Sequence, residues 1–455
     1  MTTTSTTTAP ATKRMGGRWI DDWRPEDPTF WSETGRRVAR RNLVMSVTSE
    51  HVGFSVWSLW SVLVLFLGPA YGINPAQKFL LTALPALIGS VVRVPYTLAV
   101  AVFGGRNWTV ISASLLLVPT IAITLVLKPG VSFGTLLLIA ALAGVGGGNF
   151  ASSMTNINAF YPARLKGWAL GINAGGGNLG VAVVQLVGLA VLALVGAQHP
   201  RVLVGIYIPL IVIVAVASAL TMDNLANANA KGAFGEVVRH PETWIMSVLY
   251  IGTFGSFIGF GFAFGQVLVV QFAASFPTPA AAAALTFLGP LLGSLIRPVG
   301  GKLADRFGGS QVTLYNFALM AVGAAVVLGA SLTKSLPVFV IGFVLLFVFS
   351  GVGNGSTYKM IPAIFHAKAQ LGVGSGGELA AAHALALRRS GALIGLAGAI
   401  GAFGGVLVNL AFRQSFLTLH NGNGAYVACI AFYAICLVVT WWCFVRPHTG
   451  RLGGV

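Results

Sequence analysis

Gly89-Ser90-Val91-Val92-Arg93 places an arginine inside an apolar run that otherwise reads as a membrane span from about residue 79 to 103. An ionisable side chain at mid-bilayer costs about 2.5–3.5 kcal/mol even on the lenient insertion scale, so it marks a functional site by default. The pattern returns as Gly293-Ser294-Leu295-Ile296-Arg297, and each arginine is followed about ten residues on by Phe-Gly-Gly, at Phe103-Gly104-Gly105 and Phe307-Gly308-Gly309. An arginine that merely snorkels to a headgroup sits near a helix end, whereas about ten residues at ~1.5 Å each separate these from the following loop. Two copies of one buried-arginine spacing point to a duplicated bundle with a site between the copies.

Around that stretch the composition fixes the class. The chain has 455 residues, 56% hydrophobic and 9% charged, with 58 glycines and a mean hydropathy of +0.82, which describes a polytopic membrane protein and excludes a soluble fold. A formal charge of +17 would suggest nucleic acid in a soluble chain. Here the basic residues flank apolar segments, as in membrane proteins, so no nucleic-acid partner is expected. Cys429, Cys436 and Cys443 recur every seventh residue on the last apolar segment. Their sulfurs lie about 10 Å apart along one face, too far to pair or to share a metal, so they read as packing residues. Acids are too few for paired-carboxylate chemistry, and the glycine runs lie within spans and so are not phosphate loops. Neither an enzyme site nor a cofactor or metal is expected.

Residues 1–17 are rich in Thr and have no apolar core of signal-peptide length, which predicts a disordered tail. The stretch from Trp19 to Trp31 mixes aromatic and charged residues and suits the cytoplasmic membrane interface. Runs long enough to span follow at about 42–68, 79–103, 107–128, 132–161, 167–196 and 201–222, then at 243–272, 280–301, 311–333, 336–365, 389–415 and 424–445. The resulting organisation is a tail and interfacial segment (1–41), a six-helix bundle (42–222), a cytoplasmic linker (223–242), a second six-helix bundle (243–446) and a short tail (447–455). About 20 Lys and Arg fall on the side of the termini and about 5 on the other, so both termini are cytoplasmic. Arg93, Arg297 and Lys359 are left inside the membrane by these boundaries.

The halves echo each other beyond the arginines. Gly144-Val145-Gly146 in the fourth span matches Gly351-Val352-Gly353 in the tenth, and the glycine-rich fifth span matches the eleventh. Such a repeat is the architecture of alternating-access transporters, with the site near the midplane between the halves. Of eleven Asp and Glu, only Glu50 falls inside a predicted span, so the cavity carries net positive charge. Two guanidinium forks facing each other suit one small planar oxyanion better than a sugar or a lipophilic molecule.

Gly300-Gly301-Lys302-Leu303-Ala304-Asp305-Arg306-Phe307-Gly308-Gly309 resembles the loop signature of the major facilitator superfamily, and Gly104-Gly105-Arg106 resembles its degraded first copy. Gly171-Ile172-Asn173-Ala174-Gly175-Gly176-Gly177-Asn178-Leu179-Gly180 resembles the fifth-helix signature of the NarK-like nitrate/nitrite porter family, and Gly395 through Gly405 resembles its eleventh-helix counterpart. The similarity runs from Trp23-Arg24-Pro25-Glu26-Asp27-Pro28 to near the C-terminus. It implies that Arg93 and Arg297 hold the anion, that Phe150 and Phe254 sandwich it, and that Asn178 and Tyr250 donate to its oxygens. Asn173 is a further binding candidate, with interhelical hydrogen bonding as its alternative role. Gly171, Gly175, Gly180, Gly398, Gly401 and Gly404 are expected to permit close helix approach, with sliding of the halves as an added role.

Glu50, His51 and Lys359 depart from the pure exchanger pattern of that family. They are candidate proton carriers, because nitrate cannot itself carry the coupling proton. The alternatives are a static Glu50–Lys359 ion pair that gates the cytoplasmic side and a hydrogen-bonded structural role for His51. The expectation is a multi-pass protein of the cell (inner) membrane that works as a monomer, with nitrate, nitrite, lipid and in one mode protons as its partners. It would serve nitrate assimilation by proton symport or by nitrate/nitrite exchange. A carrier of formate or a short carboxylate, or a membrane anion sensor, remains the alternative; a sensor should carry an appended signalling domain, and none is read in the sequence.

Overall fold

A computed structural model describes residues 16–226, 235–371 and 378–446; the expected tails at 1–15 and 447–455 lie outside the described residues. Twelve helices within them are long and apolar enough to cross a membrane. The first six are α1 (Pro28–Phe66), α2 (Pro75–Phe103), α3 (Gly105–Val126), α4 (Phe133–Phe160), α5 (Arg164–Leu194) and α6 (Pro200–Thr221). The second six are α7 (Pro241–Gln271), α8 (Ala280–Phe307), α9 (Gly309–Leu332), α10 (Leu336–Phe365), α11 (Arg389–Leu419) and α12 (Asn423–Val445).

The duplicated Phe-Gly-Gly is a helix stop. Gly104 has φ +85° and Gly308 φ +91°, a conformation that side chains with a Cβ rarely adopt, and the next glycine in each copy begins α3 or α9. The arginine-bearing helices α2 and α8 also cross their neighbours alike. A Cβ on Gly147 of α4 would lie 2.8 Å from Gly89 Cα of α2, and one on Gly351 of α10 would strike the Gly293 carbonyl of α8. The first helix starts earlier than the apolar run indicated. Asp27 accepts from the backbone N–H of Thr29 (2.9 Å) and Phe30 (3.2 Å), and Pro28 occupies the first helical position, so helix begins within the stretch expected to lie at the interface.

The rest of that interfacial stretch is tied to the exit of α6. Strands β1 (Trp19–Ile20) and β2 (Asn224–Leu225) pair in parallel. Asp223 is buried and receives Arg18 Nε at 3.0 Å, Asn42 Nδ2 at 3.0 Å and the Arg41 guanidinium. Trp23 Nε1 donates to the Phe160 carbonyl at the end of α4 (3.2 Å) and its ring packs edge-on against Phe160. The start of the segment expected to be a polar linker is therefore interior, because its one acid neutralises two arginines from elsewhere in the first half.

The halves meet at the end of the bundle away from the termini. Trp57 packs on Phe262 at 5.3 Å, Gln185 Nε2 donates to the Gly261 carbonyl (2.9 Å), and Thr82 Oγ1 donates to Asn409 Oδ1 (2.8 Å). Phe79 stacks on Phe412 and Phe416 beside that last contact. On the cytoplasmic half of α5, by contrast, Gly167, Gly171 and Gly175 meet nothing within 4 Å.

Candidate functional site

Arg93 is 0% exposed and Arg297 6% exposed, and they project from α2 and α8 in opposite halves. Arg93 Nε donates to the Gly147 carbonyl (3.0 Å) and Nη1 reaches across to the Gly398 carbonyl on α11 (2.6 Å). Its Nη2 has no hydrogen-bond partner. Arg297 Nη2 donates to the Tyr250 hydroxyl (3.0 Å), and its Nη1 has no partner. Arg93 is thus held by both halves and Arg297 by its own, and each keeps one buried N–H nitrogen unused.

Four rings surround Arg93. Its Cζ lies 4.8 Å from the Phe150 centroid and 5.0 Å from that of Phe254, and these two rings stack on each other at 5.9 Å. Phe54 continues the stack beyond Phe150, and Tyr250 beyond Phe254. Both phenyl rings therefore lie against the same guanidinium. Attraction of the guanidinium for ring faces draws both rings onto Arg93, so they wall the cation and screen it from water.

Asn178 is 1% exposed, and neither its amide oxygen nor its nitrogen has a protein partner. It lies on α5 one turn inward of Val181, whose neighbour Gln185 bonds the second half. Asn173 makes the interhelical hydrogen bonds weighed as its alternative role. Its Nδ2 donates to Glu50 Oε2 (2.7 Å) and contacts Ser153 Oγ (2.8 Å), so this amide serves a carboxylate of the same half.

Glu50 is 0% exposed; one carboxylate oxygen is held by Ser153 and Asn173, and Oε1 has no partner. Neither central guanidinium donates to it. The Glu50–Lys359 pair weighed from the sequence does not form, because Lys359 Nζ binds Asp305 Oδ1 at 2.6 Å on an exposed part of the second half. Lys359 is therefore paired within the second half. His51 Nδ1 donates to the Gly176 carbonyl (3.1 Å), which is the structural alternative considered for it.

The signature glycines divide by what they touch. Cβ atoms on Gly180, Gly401 and Gly404 would meet the His51 carbonyl, the Tyr250 ring and the Gly255 backbone, so these three permit close helix approach. Gly171 and Gly175 do not; the contacts with α1 are made by their neighbours Gly176 and Gly177. Gly398 has its nearest side-chain atoms at 3.6 Å, and its contribution is the carbonyl that receives Arg93. One residue at the centre was missed in the sequence. The Tyr358 ring lies 5.6 Å from Arg297 Cζ, and its buried hydroxyl has no partner.

Known proteins resemble this arrangement over nearly its whole length. Residues 51–376 match the Major Facilitator Superfamily. The nitrate/nitrite transporter NarU of Escherichia coli (strain K12) is 38% identical over 449 residues, covering 94% of this chain and 96% of that protein. The probable nitrate/nitrite antiporter NarK2 of Thermus thermophilus is 32% identical over 459 residues, covering 95% and 98%. Two solved structures share the fold. A bacterial homolog of the human lysosomal transporter Spinster, inward-facing and occupied, has a TM-score of 0.63 at 16% identity over 88% of this chain and 95% of its own. The xylose transporter XylE from E. coli, partially occluded and inward open, has a TM-score of 0.64 at 13% identity over 91% and 99%. With its duplicated bundle, its loop signature and these relatives, the chain belongs to the NarK-like nitrate/nitrite porter family of the major facilitator superfamily, a family of transporters and not of enzymes.

Proposed function

We propose that this chain carries nitrate and nitrite across the membrane by alternating access, with the anion held between Arg93 and Arg297. The observation that carries the reading is the pair of unpartnered, buried guanidinium nitrogens supplied by opposite halves, Nη2 of Arg93 and Nη1 of Arg297. A buried cation without a counter-charge is costly, and a flat oxyanion that accepts from both forks offsets both desolvations at once. Asn178, with both amide atoms free, supplies further hydrogen bonding from the first half. Arg93, Arg297 and Asn178 all come from one chain, which supports the monomer as the working unit.

The preference for nitrate and nitrite over formate or a short carboxylate rests on the curated relatives together with this geometry. Glu50 is proposed as the proton carrier of a symport mode, since it is buried, close to the arginine pair and has one free carboxylate oxygen. Nitrate/nitrite exchange is the mode that remains if Glu50 does not titrate during the cycle.

The test is equilibrium binding to the purified protein, with formate and acetate as competitors. Arg93→Lys and Arg297→Lys each keep the charge and lose the planar fork, and each is expected to weaken nitrate by about 30-fold or more. Near-normal nitrate affinity in either variant would make that arginine structural. Equal competition by formate would move the substrate class to small carboxylates.

A further inference from the structure

Arg297 Nη1 and the Tyr358 hydroxyl are both buried and both lack a partner, although the guanidinium lies against the Tyr358 ring. A phenol can accept from an arginine, so two such neighbours left unbonded to each other mark a place that a third group fills. Unpartnered buried donors are thus supplied by three helices, Arg93 Nη2 by α2, Arg297 Nη1 by α8 and the Tyr358 O–H by α10, with Tyr358 beside Arg297.

We propose that Tyr358 contacts the transported anion directly and sets its preference for nitrate over nitrite, by donating to the oxygen that the arginines leave unserved. This rests on the reading of the site as a nitrate/nitrite site. Nitrate is a flat triangle with three equivalent acceptors. Nitrite placed with its two oxygens on the arginines directs only the nitrogen lone pair toward the third corner, one N–O bond length short of the hydroxyl. A donor at that corner therefore strengthens nitrate and does little for nitrite.

Tyr358→Phe isolates this contribution, because it keeps the ring beside Arg297 and removes only the hydroxyl. Nitrate and nitrite dissociation constants are measured on the wild-type protein and the variant, with elution profile and thermal stability as the folding check. The expected result is nitrate weakened about tenfold, the worth of one buried hydrogen bond, and nitrite changed by less than about twofold. Equal weakening of both anions, or no change in either, would overturn the proposal and leave Tyr358 as a packing partner of Arg297. A wild-type protein that binds neither anion fails the nitrate/nitrite reading itself, a result visible before any variant is made.

Discussion

At the scale of single residues, Glu50 carries the sharpest consequence. Its carboxylate is bound by Ser153 and Asn173, and a glutamine in its place could still accept from both, so Glu50→Gln removes the charge with little change in packing. If Glu50 carries the coupling proton, the variant should keep nitrate/nitrite counterflow near the wild-type rate in proteoliposomes. It should no longer accumulate nitrate above the external concentration under an imposed pH gradient. Loss of both modes would make Glu50 structural, and wild-type accumulation indifferent to the gradient would leave exchange as the mode. The acid was legible in the sequence because it stands alone in the spans; its partners were not. Lys359 looked interior because its helix is apolar over a long run, yet α10 continues toward the terminal side and presents the lysine to Asp305. Asn173 was likewise visible as an amide in a signature, while the side of α5 that it occupies depends on how that helix rotates against α1.

Helices meet where glycines allow it, and the structure separates glycines that the sequence grouped together. Gly401→Ala would press a methyl into Tyr250, and Gly404→Ala into Gly255 Cα and the Ile251 carbonyl at 2.8 and 2.9 Å. Each is expected to cost about 1–3 kcal/mol, read as a lower thermal unfolding temperature in detergent. Gly171→Ala and Gly175→Ala meet open space in this conformation, and alanine favours helix by up to ~1 kcal/mol, so stability should be unchanged or slightly raised. Reduced transport in these two, with stability intact, would show that the stripe is covered when the cytoplasmic side closes. Periodicity and the repeated Phe-Gly-Gly were enough to place the helices and their stops. Which face of a glycine-rich helix touches which neighbour is a tertiary fact, since in the α5 signature nearly every helical face carries a glycine.

Across the whole molecule, the two halves share a plan but anchor their cytoplasmic faces differently. The second keeps the loop acid Asp305; at the equivalent place the first has Ala101, and its acid is Asp223, delivered from beyond α6 and held by Arg18 and Arg41. Asp223→Asn should destabilise the first half by about 2 kcal/mol, less than for a fully buried pair because both arginines are partly screened by solvent. Limited proteolysis should then cleave faster between Gly16 and Phe30. Unchanged cleavage would mean that the β1–β2 pairing and Trp23 hold the segment without the charge. This strap escaped the sequence reading because two paired residues separated by some two hundred positions leave no periodic trace. It also dictates where the gene can be divided into two separately expressed fragments. A break after Thr221, the obvious helix boundary, would give the upstream fragment both arginines and leave their acid on the downstream one. A break after Ala226 keeps Trp19 with Asn224 and Arg18 with Asp223 on a single polypeptide, and that pair of fragments is the one expected to reassemble into an active carrier when co-expressed.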